Sequence, residues 1–547
     1  MKLALNRRNF LIGVGGVSAT VALAACSTGD GSSASSDGDP VQGGTLKIAF
    51  WNDLQGSIDP NQVYWIESRS LNRNFADSLT DQDPDTGEIV PWLATSWKAN
   101  DDASEFTFVL RKDVTFSDGT KFDANAVKTA YDGVVALGAN STLGLVYLRG
   151  YKATTVVDDY TVKVSFTGPN AQFLQASSTT TLAILSPDTY KKTPDERSAG
   201  AVIGSGPFVL TSYKAAQSAR LVRRKDYAWP SGLVKNKGAA YLEAIEVSYI
   251  PEDSVRVGNL TSGDIDIAWP REPITSADQK LITSSGASVQ KRPLPGISNL
   301  LIPNVSAGHV LADVRVRNAL SKALDVKGYA STIYWDDYPV VASPLERGTP
   351  GWKDESALLV HDKNAAGALL DAAGWKLSSD GYRHKDGKKL SLKWLVVSGL
   401  VTGPQLVQDQ LKQVGIEIQL KIITLAQYQA LLKSGDYDLV STYLTRADPS
   451  VLGASIDLAV VKGAPGKLSQ DAATATKVSA YFAAGLATTD SAKRAAIYAD
   501  LQAYLIQQGV IFPINERLQT AGVSASIHGF AWTSESFLRA NDIWKQA

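Results

Sequence analysis

The only thiol in this 547-residue chain belongs to Cys26, which closes the run Leu23-Ala24-Ala25-Cys26 at the end of an uncharged apolar stretch, Phe10 to Ala25. Small residues directly before a lone cysteine suit one chemistry, transfer of a diacylglyceryl group to the thiol, after which the cysteine becomes the mature N-terminus. Lys2, Arg7 and Arg8 upstream complete the layout of an export signal: basic start, apolar middle, small residues at the cut. The apolar stretch is short and rich in Gly and Ala for a membrane span. Residues 1–25 are therefore expected to be a signal peptide, with Cys26 the lipidated anchor; two acyl chains together hold stably where one is marginal. The run Asn6-Arg7-Arg8-Asn9-Phe10-Leu11 fits a twin-arginine export route and the general route alike.

Catalytic chemistry finds little support. His309, His361, His384 and His528 are scattered, and none forms a His-Glu-x-x-His pair. Ser205 sits in Ile203-Gly-Ser-Gly-Pro207, which lacks the first glycine of a nucleophile elbow. Ser288-Val-Gln-Lys291 has the Ser-x-x-Lys spacing, but in a strand-like run positions three apart face opposite sides. With Cys26 consumed, no thiol remains for a nucleophile or a disulfide. Met1 is the only methionine, so soft metal ligands are few. No enzyme, cofactor or metal centre is expected. The net charge of −1 becomes −4 once Lys2, Arg7 and Arg8 leave with the signal, and no basic stripe interleaves with aromatics, which argues against nucleic acid as a partner.

The elements that must position any site follow from local pattern. Residues 26–40 are almost wholly Ser, Gly, Asp, Thr and Ala beyond the cysteine, a flexible tether. The body from Val41 exceeds a single core, so two or three lobes are expected. Thr45–Phe50, Glu105–Arg111, Val162–Phe166 and Ala244–Ile250 alternate as strands. Helices are signalled at Asp123–Val135 with Asp123 as cap, Asp313–Leu324, Asn364–Ala373 and Pro404–Val414. Asp471–Gln508 is helix-forming, with Gly485 and Gly509 as expected interruptions. The mixture indicates an α/β architecture.

Several segments, in order, resemble the extracytoplasmic solute-binding proteins of peptide and nickel ABC importers (family 5). They are Gly43-Gly-Thr-Leu-Lys-Ile48 with Ile58-Asp-Pro60, then Pro91-Trp-Leu-Ala-Thr-Ser-Trp97 leading to Phe106–Arg111 and Val114–Gly119. Gly204-Ser-Gly-Pro-Phe208, Arg224-Lys-Asp-Tyr227, Gly263-Asp-Ile-Asp-Ile267 and Val314–Leu320 continue the series, followed by Ala372–Trp375 and Gly435–Leu439. Most of these positions read as architecture: Phe106, Phe108 and Leu110 as core, Asp118-Gly119 as a turn, Gly204 and Gly206 as close backbone approaches.

The resemblance implies a two-lobed, hinged periplasmic-binding-protein-like fold (type II, cluster C) with an inserted third lobe. Lobe I is expected at 41–75, 201–294 and 516–547, the insert at 76–200, and lobe II at 295–515, with crossings near Arg292–Gly296 and Pro513–Asn515. It also implies capture of a small solute, an oligopeptide or dipeptide first, and delivery to an ABC permease complex by a monomer held outside the cytoplasm through Cys26.

Pockets in such folds form where strand ends of two lobes meet. Trp51 and Asn52 follow the first strand, and Trp269 follows Asp264–Ala268. The family pattern implicates Tyr428 and the loop with Tyr443, Arg446 and Asp448. Peptide-binding relatives carry an extra acid there for the peptide ammonium; Tyr443-Leu-Thr-Arg-Ala-Asp-Pro449 lacks it. Either Asp448 takes that role or the ligand has no free amino terminus. An oligosaccharide, a carboxylated metabolite or a metal complex is the alternative solute, and a secreted hydrolase the rival from another class.

Overall fold

Thr45–Phe50 alternates as its sequence predicts, with Leu46, Ile48 and Phe50 buried on one face. It runs parallel to Ala244–Tyr249 on one side and Ile267–Trp269 on the other. The computed structural model describes residues 38–546 except Leu54, 398–400 and 457–470, and Pro40–Ala547 forms one unit. The export signal, Cys26 and the tether as far as residue 37 lie outside the described residues.

Around the first strand grows a seven-stranded sheet. Its order is Ser288–Pro293, Leu518–Val523, Ile267–Trp269, Thr45–Phe50, Ala244–Tyr249, Ser218–Arg223, Phe208–Lys214. Helices Asp253–Ser262 and Ser276–Ser284 cover one face through Val257, Leu260 and Ile282. A sheet with parallel strands needs such cover because both its faces are apolar.

A second sheet has five strands: Glu417–Ile423, Ser391–Val397, Leu439–Thr445, Gly296–Pro303 and Phe512–Asn515. Helices Val314–Ala323, Lys363–Ala372 and Pro404–Lys412 pack on one face, and Ala472–Leu486 and Ser491–Gln507 on the other. The expected helical stretch at 471–508 thus breaks at Ala487–Asp490, and Asp490 caps the second helix. Gly485 is not the interruption: it lies inside the first helix, where a Cβ would stand 2.6 Å from the Tyr498 ring.

A third, antiparallel sheet joins Ala94–Ala99, Glu105–Leu110, Thr161–Phe166 and Tyr151–Asp158. Phe106, Phe108, Leu110, Val162 and Val164 bury the face under helix Ala124–Ala136, whose Asp123 cap accepts from Ala126 N at 3.0 Å. Gly204 and Gly206 pass against the backbone of Phe75 and Ala76, leaving no room for a side chain.

The chain leaves the seven-stranded sheet after Pro293 and enters the five-stranded one at Gly296; it returns between Asn515 and Leu518. A buried loop braces both crossings. Glu346 N donates to Gly296 O (2.9 Å), Arg517 N to Glu346 Oε2 (2.8 Å), and Arg347 N to Glu516 Oε1 (2.7 Å).

Candidate functional site

Between the two larger sheets lies a cavity with about 1440 Å³ of space free of protein atoms, its open mouth included. Its walls come from strand ends. Trp51 follows Thr45–Phe50, Arg271 and Glu272 follow Ile267–Trp269, and Val397 closes Ser391–Val397. These are carboxyl ends of parallel strands, where loops diverge and open α/β sheets place their ligands.

Aromatic rings dominate the lining. Trp51, Tyr64 and Trp65 stand on the side of the seven-stranded sheet, and Tyr334, Tyr338, Tyr428 and Tyr443 face them. Tyr334 and Tyr338 stack with centroids 4.0 Å apart, and Tyr338 Oη donates to Glu516 O at 2.9 Å. Rings of this kind offer large rigid contact area at small cost in side-chain entropy.

Charges are placed sparingly. Glu67, on the short helix Ile66–Asn72, accepts from Trp51 Nε1 at 2.6 Å. Burial raises its carboxyl above the usual range against the opposing effects of the hydrogen bonds and of Arg271. Arg271 sits over the Trp51 ring, 5.3 Å from its centroid, and donates from Nη2 to Tyr443 Oη at 3.0 Å. Arg517, in the second crossing, donates to Glu346 Oε1 (2.7 Å) and Thr445 Oγ1 (3.0 Å) while facing the Tyr443 ring.

Of the seven binding candidates read from the sequence, Trp51, Tyr428 and Tyr443 line this cavity. Asn52 adjoins Trp51, half-buried, and is not on the wall. The remaining three turn away from the cavity. Trp269 is fully buried, edge-on to Phe50 and Trp532, because the strand ends with its last side chain still inside the core. Arg446 is buried under the third sheet's domain: it bonds Gln175 Oε1 (3.0 Å) and Gln172 Oε1 (2.8 Å) and faces the Tyr147 ring. Asp448 is held by Arg494 through two bonds of 2.9 and 3.1 Å, and despite its burial that guanidinium holds the carboxyl far below the usual aspartate range. Its charge is already matched by Arg494.

Sequence reasoning missed Glu67, Arg271, Glu272 and Arg517. Arg271-Glu272 carried a usable signal, since they follow a strand the sequence reveals; Glu67 and Arg517 carried none. Ser205 is buried, with Oγ donating to Asp77 Oδ2 at 3.1 Å and no histidine beside it. Among the described residues, no group of three or more His, Cys, Asp or Glu is placed to hold a metal. No described helix is long and apolar enough to cross a membrane.

The signature of the bacterial extracellular solute-binding proteins, family 5 (middle region) matches residues 88–455. The chain belongs to this family. The probable D,D-dipeptide-binding periplasmic protein DdpA of Escherichia coli is 25% identical over 484 residues, covering 87% of this chain and 88% of that one. The nickel-binding periplasmic protein of the same organism is 23% identical over 440 residues, 78% and 81% of the two chains. Among solved structures, NikA from Brucella suis in complex with Fe(III)-EDTA superposes with a TM-score of 0.78 (23% identity, 92% of this chain and 100% of that one). AppA from Bacillus subtilis in complex with a nonapeptide gives 0.74 (19% identity, 93% and 100%). This family 5 member therefore has the two-lobed fold of periplasmic binding proteins. It is a solute-binding protein of an ABC transporter, not an enzyme.

Proposed function

We propose that this family 5 protein captures a short peptide in the aromatic cavity, closes its lobes around it and delivers it to an ABC permease. One observation carries the reading. The strand segment Ser441–Tyr443 lines the cavity, and strand Ser391–Val397 pairs with that strand only at Leu439 and Val440. Among the described residues, no strand continues that ladder beside Ser441–Tyr443, where Tyr428 Oη donates to Ser441 O at 3.4 Å. An extended peptide can add its own backbone to such an open edge, while neighbouring aromatic pockets take its side chains. Trp51, Tyr428 and Tyr443 are the proposed contact residues.

The proposed hinge is the pair of crossings at Leu294-Pro295 and Glu516-Arg517, with lobe I and the insert divided as their sheets divide. A solute that touches both lobes favours the closed form only by its differential affinity for it, and a near-complete shift needs about 5.5 kcal/mol. We further propose that the protein acts as a monomer, anchored through lipid on Cys26. The tether then keeps the receptor near its permease and raises its effective concentration there.

The test is native mass spectrometry of the purified mature protein, followed by thermal melting with peptides of two to six residues. Bound peptides, and a rise in melting temperature with the peptides recovered, are expected. A glycan or metal complex in their place, with no peptide stabilising the protein, overturns the peptide reading. For the anchor, Cys26→Ala should move the protein from the membrane fraction to the soluble one; retention in membranes goes against it.

A further inference from the structure

The acid in the loop after strand Leu439–Thr445, Asp448, is spent on Arg494. A peptide ammonium entering this cavity would find no counterion on that side. The opposite wall carries two acids, Glu272, which has Arg271 3.7 Å away, and Glu67.

Glu67 lines the cavity with only 7% of its surface exposed. Apart from its own backbone N–H, its carboxylate has one hydrogen-bond donor among the described residues, Trp51 Nε1. An ionised carboxylate offers about four acceptor positions, so capacity is left over. The nearby cation Arg271 acts on the carboxylate through its charge. Arg271 lies over the Trp51 ring, bonds Tyr443 Oη, and has its ion pair with Glu272 at 3.7 Å. Arg517 bonds Glu346 at 2.7 Å. Asp53, close enough to act on Glu67 through its charge, adds negative potential; its own oxygens accept from Tyr213 Oη and from the backbone of Gly56 and Ala216. Trp51, Tyr64 and Trp65 line the same wall as the acid; Trp51 turns its N–H edge to Glu67 and its ring to Arg271. A buried, under-coordinated carboxylate in an aromatic cleft is costly until something positive meets it.

We propose that Glu67 is the acid that receives a primary ammonium group of the solute, so that the cationic end of the ligand is held by the wall carrying Trp51 rather than by the loop after Thr445. The inference rests on the solute-binding reading above and names the chemical class of solute: amine-bearing, with apolar or aromatic flanks. Glu67 acts as a specificity-determining residue, and Trp51 is the positioning residue that fixes its carboxylate.

The experiment uses the mature protein, wild type and Glu67→Gln, with two probes: a pool of tripeptides with free amines and the same pool N-acetylated. The Glu67→Gln side chain can still accept from Trp51, and melting without probe verifies that the variant is folded. Calorimetry should show the free-amine pool bound by wild type and the acetylated pool about tenfold or more weaker, the size of a lost charge-assisted bond. Glu67→Gln should weaken the free-amine pool by a similar factor and leave the acetylated pool unchanged. Equal binding of both pools by wild type, or of the free-amine pool by both proteins, overturns the inference. If neither pool binds wild type, the peptide reading falls, and a panel of putrescine, spermidine and glucosamine decides the role of Glu67. An amine bound by wild type and lost in Glu67→Gln sustains it; a panel that wild type ignores overturns it too.

Discussion

Arg271 and Tyr443 meet across the cleft: Nη2 of the arginine donates to the tyrosine Oη at 3.0 Å, joining a loop beyond the seven-stranded sheet to a strand of the five-stranded one. On the proposed closure, this direct bond between the two walls acts as a latch. Tyr443→Phe removes it while keeping the ring against Arg517, at a cost of about 1 kcal/mol to the closed form. Small-angle scattering of the unliganded variant should give a larger radius of gyration than wild type. An unchanged radius would show that the latch bears no part of the closure.

The Asp448–Arg494 pair ties the loop after Thr445 to helix Ser491–Gln507, both groups being largely buried. Asp448→Ala leaves a buried guanidinium without its counterion and should cost about 3–5 kcal/mol in urea denaturation. The acid's folded-state pKa is depressed below the usual 3.8, so the stability it brings is present above that value and is lost as pH falls below it. Wild type should therefore lose more stability than Asp448→Ala between about pH 4 and pH 2. Parallel acid titrations of the two proteins would refute the assignment.

Glu346 and Glu516 brace the crossings with no exposed surface. Burial pushes Glu346 up to about 8 and Glu516 up to about 7. A carboxyl with a raised folded-state pKa stabilises fully below its unfolded value, and that contribution is lost as pH rises through the folded one. Melting temperature should thus decline from pH 5 to pH 8. Glu516→Gln keeps the acceptor for Arg347 N and should flatten the decline; an equally steep profile in the variant would sink the account.

A Cβ at Gly204 would stand 1.9 Å from Phe75 O, whereas one at Gly168 meets nothing within 4 Å. Gly204→Ala should cost about 2 kcal/mol or more, because backbone on both sides must move. Gly168→Ala should be close to neutral. Equal chemical denaturation midpoints for the two variants would show that the contact is not tight.

How much of this was legible beforehand varies with the range of the interaction. Phe106, Phe108 and Leu110 point into one core because alternation is a property of a strand, and Asp123 caps its helix through a bond three residues away. The Trp51 position followed from a strand end. Arg446 and Asp448 read equally well as cleft residues. They are buried because Gln172, Gln175 and Arg494, up to 274 positions distant, come to meet them.

From its residues alone, the chain determined its strands, caps and turns, its family likeness and the absence of a thiol in the body, since each depends on neighbours within a few positions or on composition. Only the tertiary structure decided which charges face the cavity. That choice turns on which groups find a partner when buried, and the partners arrive from other elements, Gln172 and Gln175 for Arg446 and Arg494 for Asp448. Glu67, on the cavity wall, accepts from Trp51, whereas Asp448 is satisfied by Arg494.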